Sequence, residues 1–305
     1  MSEYHNPVLL RESVDALMGS VSGCYADATF GGGGHSAEIL RRLGPDGRLL
    51  AFDRDADALQ NALDDPRFTL IHNNFRFIHN YVLLHAPEGL DGIIADLGVS
   101  SHQFDTAERG FSFRFSAPLD MRMNGQGDTT AADIVNSYTQ EGLERILRLY
   151  GELDNARVLA QLIAAAAAQR PIRTTDDLDN AISAALPSFA AHKTLAKVYQ
   201  ALRIEVNQEM RALEKFLQGA VRSLKPGGRL VVITYHSLED RMVKNFIRSG
   251  KLDGEEERDL YGRSTAPLEA EIRKPVLPSE EEIAGNTRAR SAKMRVARRR
   301  QNEVR

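Results

Sequence analysis

The stretch Gly23-Cys-Tyr-Ala-Asp-Ala28, continuing as Thr29-Phe-Gly-Gly-Gly-Gly-His35 and then Ser36 to Leu43, decides the fold. Its first part reads as an apolar strand and its glycines as a turn. Ile39, Leu40 and Leu43 give the apolar side of a helix that Gly44-Pro-Asp-Gly47 closes. Working outward, Arg48 to Phe52 reads as a second strand ending at Asp53, Ala56 to Leu63 as a second helix, and Phe68 to His72 as a third strand. Gly92 to Ala95 reads as a fourth strand, ending at Asp96. Strands alternating with helices predict βαβ units and a parallel sheet, which gathers ligands at the carboxyl ends of its strands. Glycines let a ligand approach the backbone closely, and Asp53, 22 residues after Gly31, is placed to accept hydrogen bonds from two ribose hydroxyls. A dinucleotide fingerprint would put its third glycine at position 36, which is Ser36. That difference, and the lack of a hydride-transfer partner, disfavour a dehydrogenase.

The rhythm then breaks. The next convincing strand is Arg229 to Tyr235, and the roughly one hundred residues between are too many for a crossover, which needs about a dozen. They read as an inserted domain with a helical second half. Leu143, Ile146, Leu147 and Tyr150 form one stripe, Val158, Leu159, Leu162 and Ile163 another, and Thr174-Thr-Asp-Asp177 a capping-box start for a helix ending by Pro187. Met210, Leu213, Leu217, Val221 and Leu224 mark a helix that stops at Lys225-Pro-Gly-Gly228. Beyond Ser249 the chain turns polar and irregular, so loops are expected. The division is 1–104 for the first part of the core, 105–206 for the insertion and 207–305 for the rest of the core.

With 305 residues, 42% of them hydrophobic, the chain can bury a real core. The apolar run Leu162 to Ala168 is too short to span a bilayer, which argues against a membrane protein. Met1 to Pro7 does not read as a signal peptide, so a cytosolic location is expected. A single cysteine, Cys24, excludes an intrachain disulfide, and no metal-ligand spacing is visible. Net charge is −3, but residues 288–305 hold eight basic residues against Glu303, a basic tail on an acidic body. Such a tail is either a solvated arm without a partner or a binder of polyanions.

Several strings, in order over nearly the whole chain, carry a resemblance: Asp27-Ala-Thr-Phe-Gly-Gly-Gly-Gly-His35, Ala51-Phe-Asp-Arg-Asp55, Asp96-Leu-Gly-Val-Ser-Ser101, Glu108-Arg-Gly-Phe-Ser-Phe113, Pro118-Leu-Asp-Met-Arg-Met123, Gln200-Ala-Leu-Arg-Ile-Glu-Val-Asn207, His236-Ser-Leu-Glu-Asp-Arg241 and Asn286-Thr-Arg-Ala-Arg-Ser291. The chain resembles the bacterial ribosomal RNA small subunit methyltransferase H (MraW-like) family. The resemblance implies an α/β, class I S-adenosylmethionine-dependent methyltransferase, with a Rossmann-like, mostly parallel sheet, helices on both faces and an inserted helical domain. It further implies methylation of a cytosine N4 amine in 16S rRNA at the decoding centre of the small ribosomal subunit. Without it, another nucleic-acid or protein amine, or a non-catalytic ribosome assembly factor, would serve the same motifs. Oligomeric state stays open, a homodimer included.

The family's cofactor contacts fall on Gly33, Gly34, His35, Asp53, Phe75, Asp96 and Gln103. Phe75 could flank an adenine or simply fill the core, and His35 could offer its backbone N–H to a carboxylate at a helix start. Asp96 either holds the methionyl amino group or accepts from the cytosine amine; the first role is favoured. Exocyclic-amine methyltransferases commonly carry an Asp/Asn-Pro-Pro-aromatic motif here, and this chain has Asp96-Leu-Gly-Val. For RNA, Arg109 and Arg114 flank the alternating Phe111, Phe113 and Phe115, which either stack on bases or cover the core. His236 and Arg241, after the last strand, are candidates for the flipped base or nearby phosphates.

Overall fold

The computed structural model describes residues 7–186 and 189–301. The chain divides into two compact units, one made of the residues up to Gly98 together with Met210 onward, the other of Val99–Glu209. The division falls at 98/99 and 209/210, where the sequence suggested 104/105 and 206/207.

The first unit begins with α1 (Leu10–Leu17), β1 (Cys24–Asp27), α2 (Gly34–Arg42), β2 (Arg48–Asp53), β3 (Phe68–His72), α3 (Ile78–His85) and β4 (Leu90–Asp96). In the second unit come α4 (Ser101–Asp105), α5 (Ala131–Ser137), α6 (Gln140–Gly151), α7 (Ala156–Gln169), α8 (Thr175–Ile182) and α9 (Ala191–Asn207). The chain continues through α10 (Glu209–Ser223), β5 (Leu224–Thr234), α11 (Ser237–Ser249), β6 (Leu268–Ala270), α12 (Glu280–Gly285) and β7 (Lys293–Arg299).

Strand order in the sheet is β3-β2-β1-β4-β5-β7-β6. The first five strands run parallel, and β7 lies antiparallel between β5 and β6. Both faces are covered, so the strands read as continuous apolar runs whose alternate residues serve different cores. Ala26, Ile93, Ala95, Leu230 and Val232 join α3, α10 and α11 through Ile78, Phe216 and Val243. Tyr25, Ile94, Val231 and Ile233 join α1 and α2 through Val14, Leu17 and Ile39. The order reverses between β1 and β4, and the carboxyl ends that meet there carry Asp27 and Asp96. Such a switch point opens a crevice in doubly wound sheets.

The second unit has a core of its own, in which Leu143, Ile146 and Leu147 of α6 pack with Leu159 and Ile163 of α7 and Val198 and Leu202 of α9. The expected capping box at Thr174 is present, with Asp177 N–H bonded to the Thr174 hydroxyl at 3.1 Å and Thr174 N–H to the Asp177 carboxylate at 3.0 Å. Pro187, the expected stop, lies outside the described residues.

Four expectations are corrected. Residues 56–63 do not form an α-helix: Ala56–Asn61 is a 3₁₀ helix, capped by Asp55 and ended before Asp64-Asp65-Pro66, with too few residues for a longer helix. The fifth strand begins at Leu224, not Arg229, because Leu224 pairs with Leu90 before the register shifts to Gly92 with Arg229 across the Pro226-Gly227-Gly228 bulge. The region after Ser249 holds β6, α12 and β7 as well as loops. The basic tail is not a solvated arm: residues 293–298 pair with β5 from Lys293↔Thr234 to Arg298↔Arg229, Arg299 pairs with Leu268 of β6, and Met294, Val296 and Ala297 are buried. Glu303 and Arg305 lie outside the described residues.

Candidate active site

The glycine turn is fastened at both ends. Asp27, buried at the end of β1, accepts from Thr29 N–H at 3.0 Å and from the Ser36 hydroxyl at 2.7 Å. Ser36, standing where a dinucleotide site has glycine, therefore ties the first turn of α2 to β1. Gly33 adopts φ +78°, a left-handed conformation that side chains resist, and a Cβ on Gly34 would lie 2.1 Å from Pro7 Cγ. Gly33 caps α2 without a side-chain hydrogen bond, and no acidic residue sits in that first turn. The leading N–H groups of α2 remain available to an anion such as a carboxylate.

Asp53 closes β2, and its carboxylate accepts from Gly31 N–H and Asp55 N–H, each at 2.8 Å. It thereby staples the glycine turn to the second strand. Each oxygen keeps a further lone pair for a ribose hydroxyl. Burial pushes its pKa up from the ordinary carboxylate value, against those two N–H bonds. Phe75, after β3, is half-buried and meets Phe216 edge-on, centroids 5.2 Å apart at 79°. It fills the core on one side and stays accessible on the other.

Asp96 ends β4 at the switch point. Its N–H donates to Thr29 Oγ1 at 2.6 Å, and its Oδ1 accepts from the Tyr235 hydroxyl at 2.7 Å. On the other side, His35 Nδ1 lies 4.0 Å from Asp96 Oδ2, while His35 Nε2 is 3.2 Å from the Val8 carbonyl. A carbonyl only accepts, so Nε2 carries the proton and neutral His35 turns a bare acceptor toward the carboxylate. Burial lowers the His35 pKa, which keeps the ring neutral. Two acceptors thus face one another across a gap that a donor-rich group, such as an ammonium, would fill. Burial raises Asp96 to about 6, opposed by the Tyr235 hydrogen bond, with Asp27 and Glu239 adding like charge; a protonated His35 would oppose it too, but the ring is held neutral. Tyr235 itself is pushed far up by burial and by Asp96.

These residues fit the methionyl and ribose parts of S-adenosylmethionine: N–H groups for its carboxylate, facing acceptors for its ammonium, and an accepting carboxylate for its ribose. Tyr235, Thr29 and Asp27 did not stand out in the sequence. The usable signal was position, since all three sit at or just beyond strand carboxyl ends.

His236 caps α11, its Nδ1 accepting from Glu239 N–H in a long bond of 3.4 Å. Its Nε2 lies 3.2 Å from Glu239 Oε1 but is poorly aligned, and among the described residues this buried nitrogen makes no hydrogen bond. Glu239 Oε2 accepts instead from Tyr235 N–H at 2.9 Å. Arg241 is exposed one turn further on.

The remaining candidates belong to the helical unit. Gln103 is buried and forms a capping box with Ser100, giving its N–H to the Ser100 hydroxyl and accepting from Ser100 N–H, both at 3.2 Å. Arg109 donates to the carbonyls of Arg122 at 3.0 Å and Met123 at 3.1 Å, which makes it a clamp on its own unit. Arg114 is exposed. The three phenylalanines form no strand: Phe111 is buried, Phe113 packs on His192 and Tyr199, and only Phe115 is exposed.

Residues 2–300 match the model of the MraW methylase family. Among curated proteins, "Ribosomal RNA small subunit methyltransferase H" of Flavobacterium johnsoniae is 57% identical over 295 residues, covering 97% of each chain. The protein of that name from Bacteroides fragilis is 54% identical over 294 residues, 96% of this chain and 97% of its own. That from Christiangramia forsetii is 52% identical over 299 residues, 98% of both. Among solved structures, an rRNA methylase from Streptococcus thermophilus aligns with a TM-score of 0.40 at 12% identity, over 97% of this chain and 99% of its own. With a matching family model over almost its entire length and relatives more than half identical, this chain belongs to the MraW methylase family.

Proposed function

We propose that this protein is an S-adenosylmethionine-dependent rRNA methyltransferase that modifies the N4 amine of a cytosine in 16S rRNA, at the decoding centre of the small ribosomal subunit. One observation carries the substrate: relatives 52–57% identical over nearly the whole chain bear the name ribosomal RNA small subunit methyltransferase H. The geometry of the glycine turn, Asp53 and Asp96 supports the cofactor. A cytosolic location follows from such a substrate.

When bound, S-adenosylmethionine supplies an electrophilic methyl carbon open to in-line displacement by an amine. The backbone N–H groups of Gly34 and His35 receive its carboxylate, Gly33 shapes the turn while its own N–H donates to the Phe30 carbonyl at 2.7 Å, and Asp96 Oδ2 with His35 Nδ1 receives its ammonium. Asp53 takes the ribose and Phe75 flanks the adenine. Gln103 stands on the family resemblance alone. Tyr235 fixes the Asp96 carboxylate in rotation, so the group does not reorganise when charge shifts during the reaction. The target cytosine must be unstacked to reach this crevice. Arg109, Arg114, His236 and Arg241 were its candidate RNA contacts; the Arg109 clamp and the His236 cap leave Arg114 and Arg241 as the exposed pair.

The test is transfer of labelled methyl to small subunits lacking the modification, with the product nucleoside identified by mass spectrometry. N4-methylcytidine is expected. Label in another nucleoside or in protein would reassign the substrate. Cofactor binding without transfer would leave an assembly factor.

A further inference from the structure

The antiparallel course of β7 splits one basic segment between two ends of the sheet. Lys293 pairs with Thr234, beside Tyr235 and the carboxyl ends where Asp96 sits, whereas Arg298 pairs with Arg229 at the amino end. Arg288 and Arg290, in the 3₁₀ turn Thr287–Ser291 that leads into β7, therefore lie toward the active edge. Arg299 and Arg300 follow at the opposite edge.

The two groups are differently engaged. At the amino edge Arg298 pairs with Glu271, which also takes Arg229, Arg299 donates to the Leu224 carbonyl, and Arg300 lies 3.4 Å from Glu269. These cations are matched to acids and carbonyls of their own unit. At the active edge Asp240 is already held by Arg295, through Nε at 2.7 Å and Nη2 at 3.1 Å. Lys293 lies 3.7 Å from Asp240, is 45% exposed and keeps donors to spare. Glu282, on α12, is turned to Leu9 N–H at 2.6 Å. Arg290 is exposed and makes no ion pair among the described residues.

We infer that Arg290 and Lys293 form a phosphate-binding surface for the RNA strand that brings the target base to the active edge, and that Arg298, Arg299 and Arg300 hold the sheet together and take no part in RNA binding. The inference rests on the rRNA reading proposed above. Like charges within a few residues of each other in sequence thus serve different ends because a strand reverses their places.

Two variants of equal charge change test it: R290A/K293A and R298Q/R300Q, with binding of a 16S rRNA fragment measured against potassium chloride concentration. For R290A/K293A the expected result is weaker binding and a salt slope reduced by about 1 for each phosphate that is no longer neutralised, with S-adenosylmethionine affinity unchanged. R298Q/R300Q should keep the wild-type slope and melt earlier. Should either double variant fail to fold, the single R290A, on an exposed side chain, carries the comparison. Equal slopes in wild type and R290A/K293A, or equal losses in both double variants, would overturn the inference while wild-type methyl transfer to RNA left the proposed function intact. Wild-type protein that binds the cofactor but neither binds nor methylates RNA would overturn both.

Discussion

Tyr235 donates to one oxygen of Asp96 while His35 turns an acceptor toward the other, so the charge on this carboxylate is poised rather than fixed. In the free protein Asp96 ionises near pH 6, and an acid limb near that pH is expected in kcat/KM, which reports the free enzyme. Tyr235→Phe removes a donor that favours the ionised form, so the limb should move to higher pH; an unmoved limb would show that Asp96 is not the group being titrated. Asp96→Asn should abolish it. The sign for stability follows from proton binding: between about pH 4 and 6 the folded chain holds a proton at Asp96 that the unfolded chain has lost, so this group's contribution falls as pH rises through that window. Asp53→Ala should weaken cofactor binding by roughly 10- to 100-fold in titration calorimetry, since a charged acceptor of ribose hydroxyls is worth about 1.5–3 kcal/mol. It should also lower the melting temperature of the cofactor-free protein, because Gly31 N–H and Asp55 N–H lose their acceptor.

At the scale of elements, local chemistry set what could be read. The α8 capping box was legible because Thr174 and Asp177 are all it requires; Thr174→Ala should cost about 1 kcal/mol, measured by denaturant unfolding. Strands β1, β2 and β4 were legible because both their faces are buried and their central residues are apolar, and the edge strand β3 because its short run with Phe68, Leu70 and Ile71 is set off by its flanking turns. By contrast β7 was hidden under its charge. Its alternation of Lys293, Met294, Arg295 and Val296 is the period of a half-buried strand, but a run of arginines reads more readily as a tail. Truncation after Ala289 removes β7, with buried Met294 and Val296 worth roughly 1.5–3 kcal/mol each and every hydrogen bond to β5. The truncated chain should therefore lose cooperative thermal unfolding, and a wild-type melting curve would refute that placement of the strand. The expected helix at 56–63 failed for another reason: glycine, proline and acid punctuation marks where a segment ends, but not how tightly its few residues wind.

For the whole molecule, the helical unit carries its own buried core, so residues 99–209 expressed alone should show a helical circular dichroism spectrum and a cooperative melt. A gradual, non-cooperative loss of signal would show that its core needs the rest of the chain. The sequence by itself determined the alternation that builds a parallel sheet, the interruption by a helical unit, the glycine turn and the two strand-end acids, because each depends on residues close together in the chain. Only the tertiary structure decided that Ser36 locks Asp27, that Tyr235, just past the end of β5, and His35 of α2 converge on Asp96, and that β7 reverses to divide the basic segment between two edges. Most of those contacts join residues tens to more than a hundred positions apart. Strand order and direction bring them together, and neither is written in any local pattern of side chains.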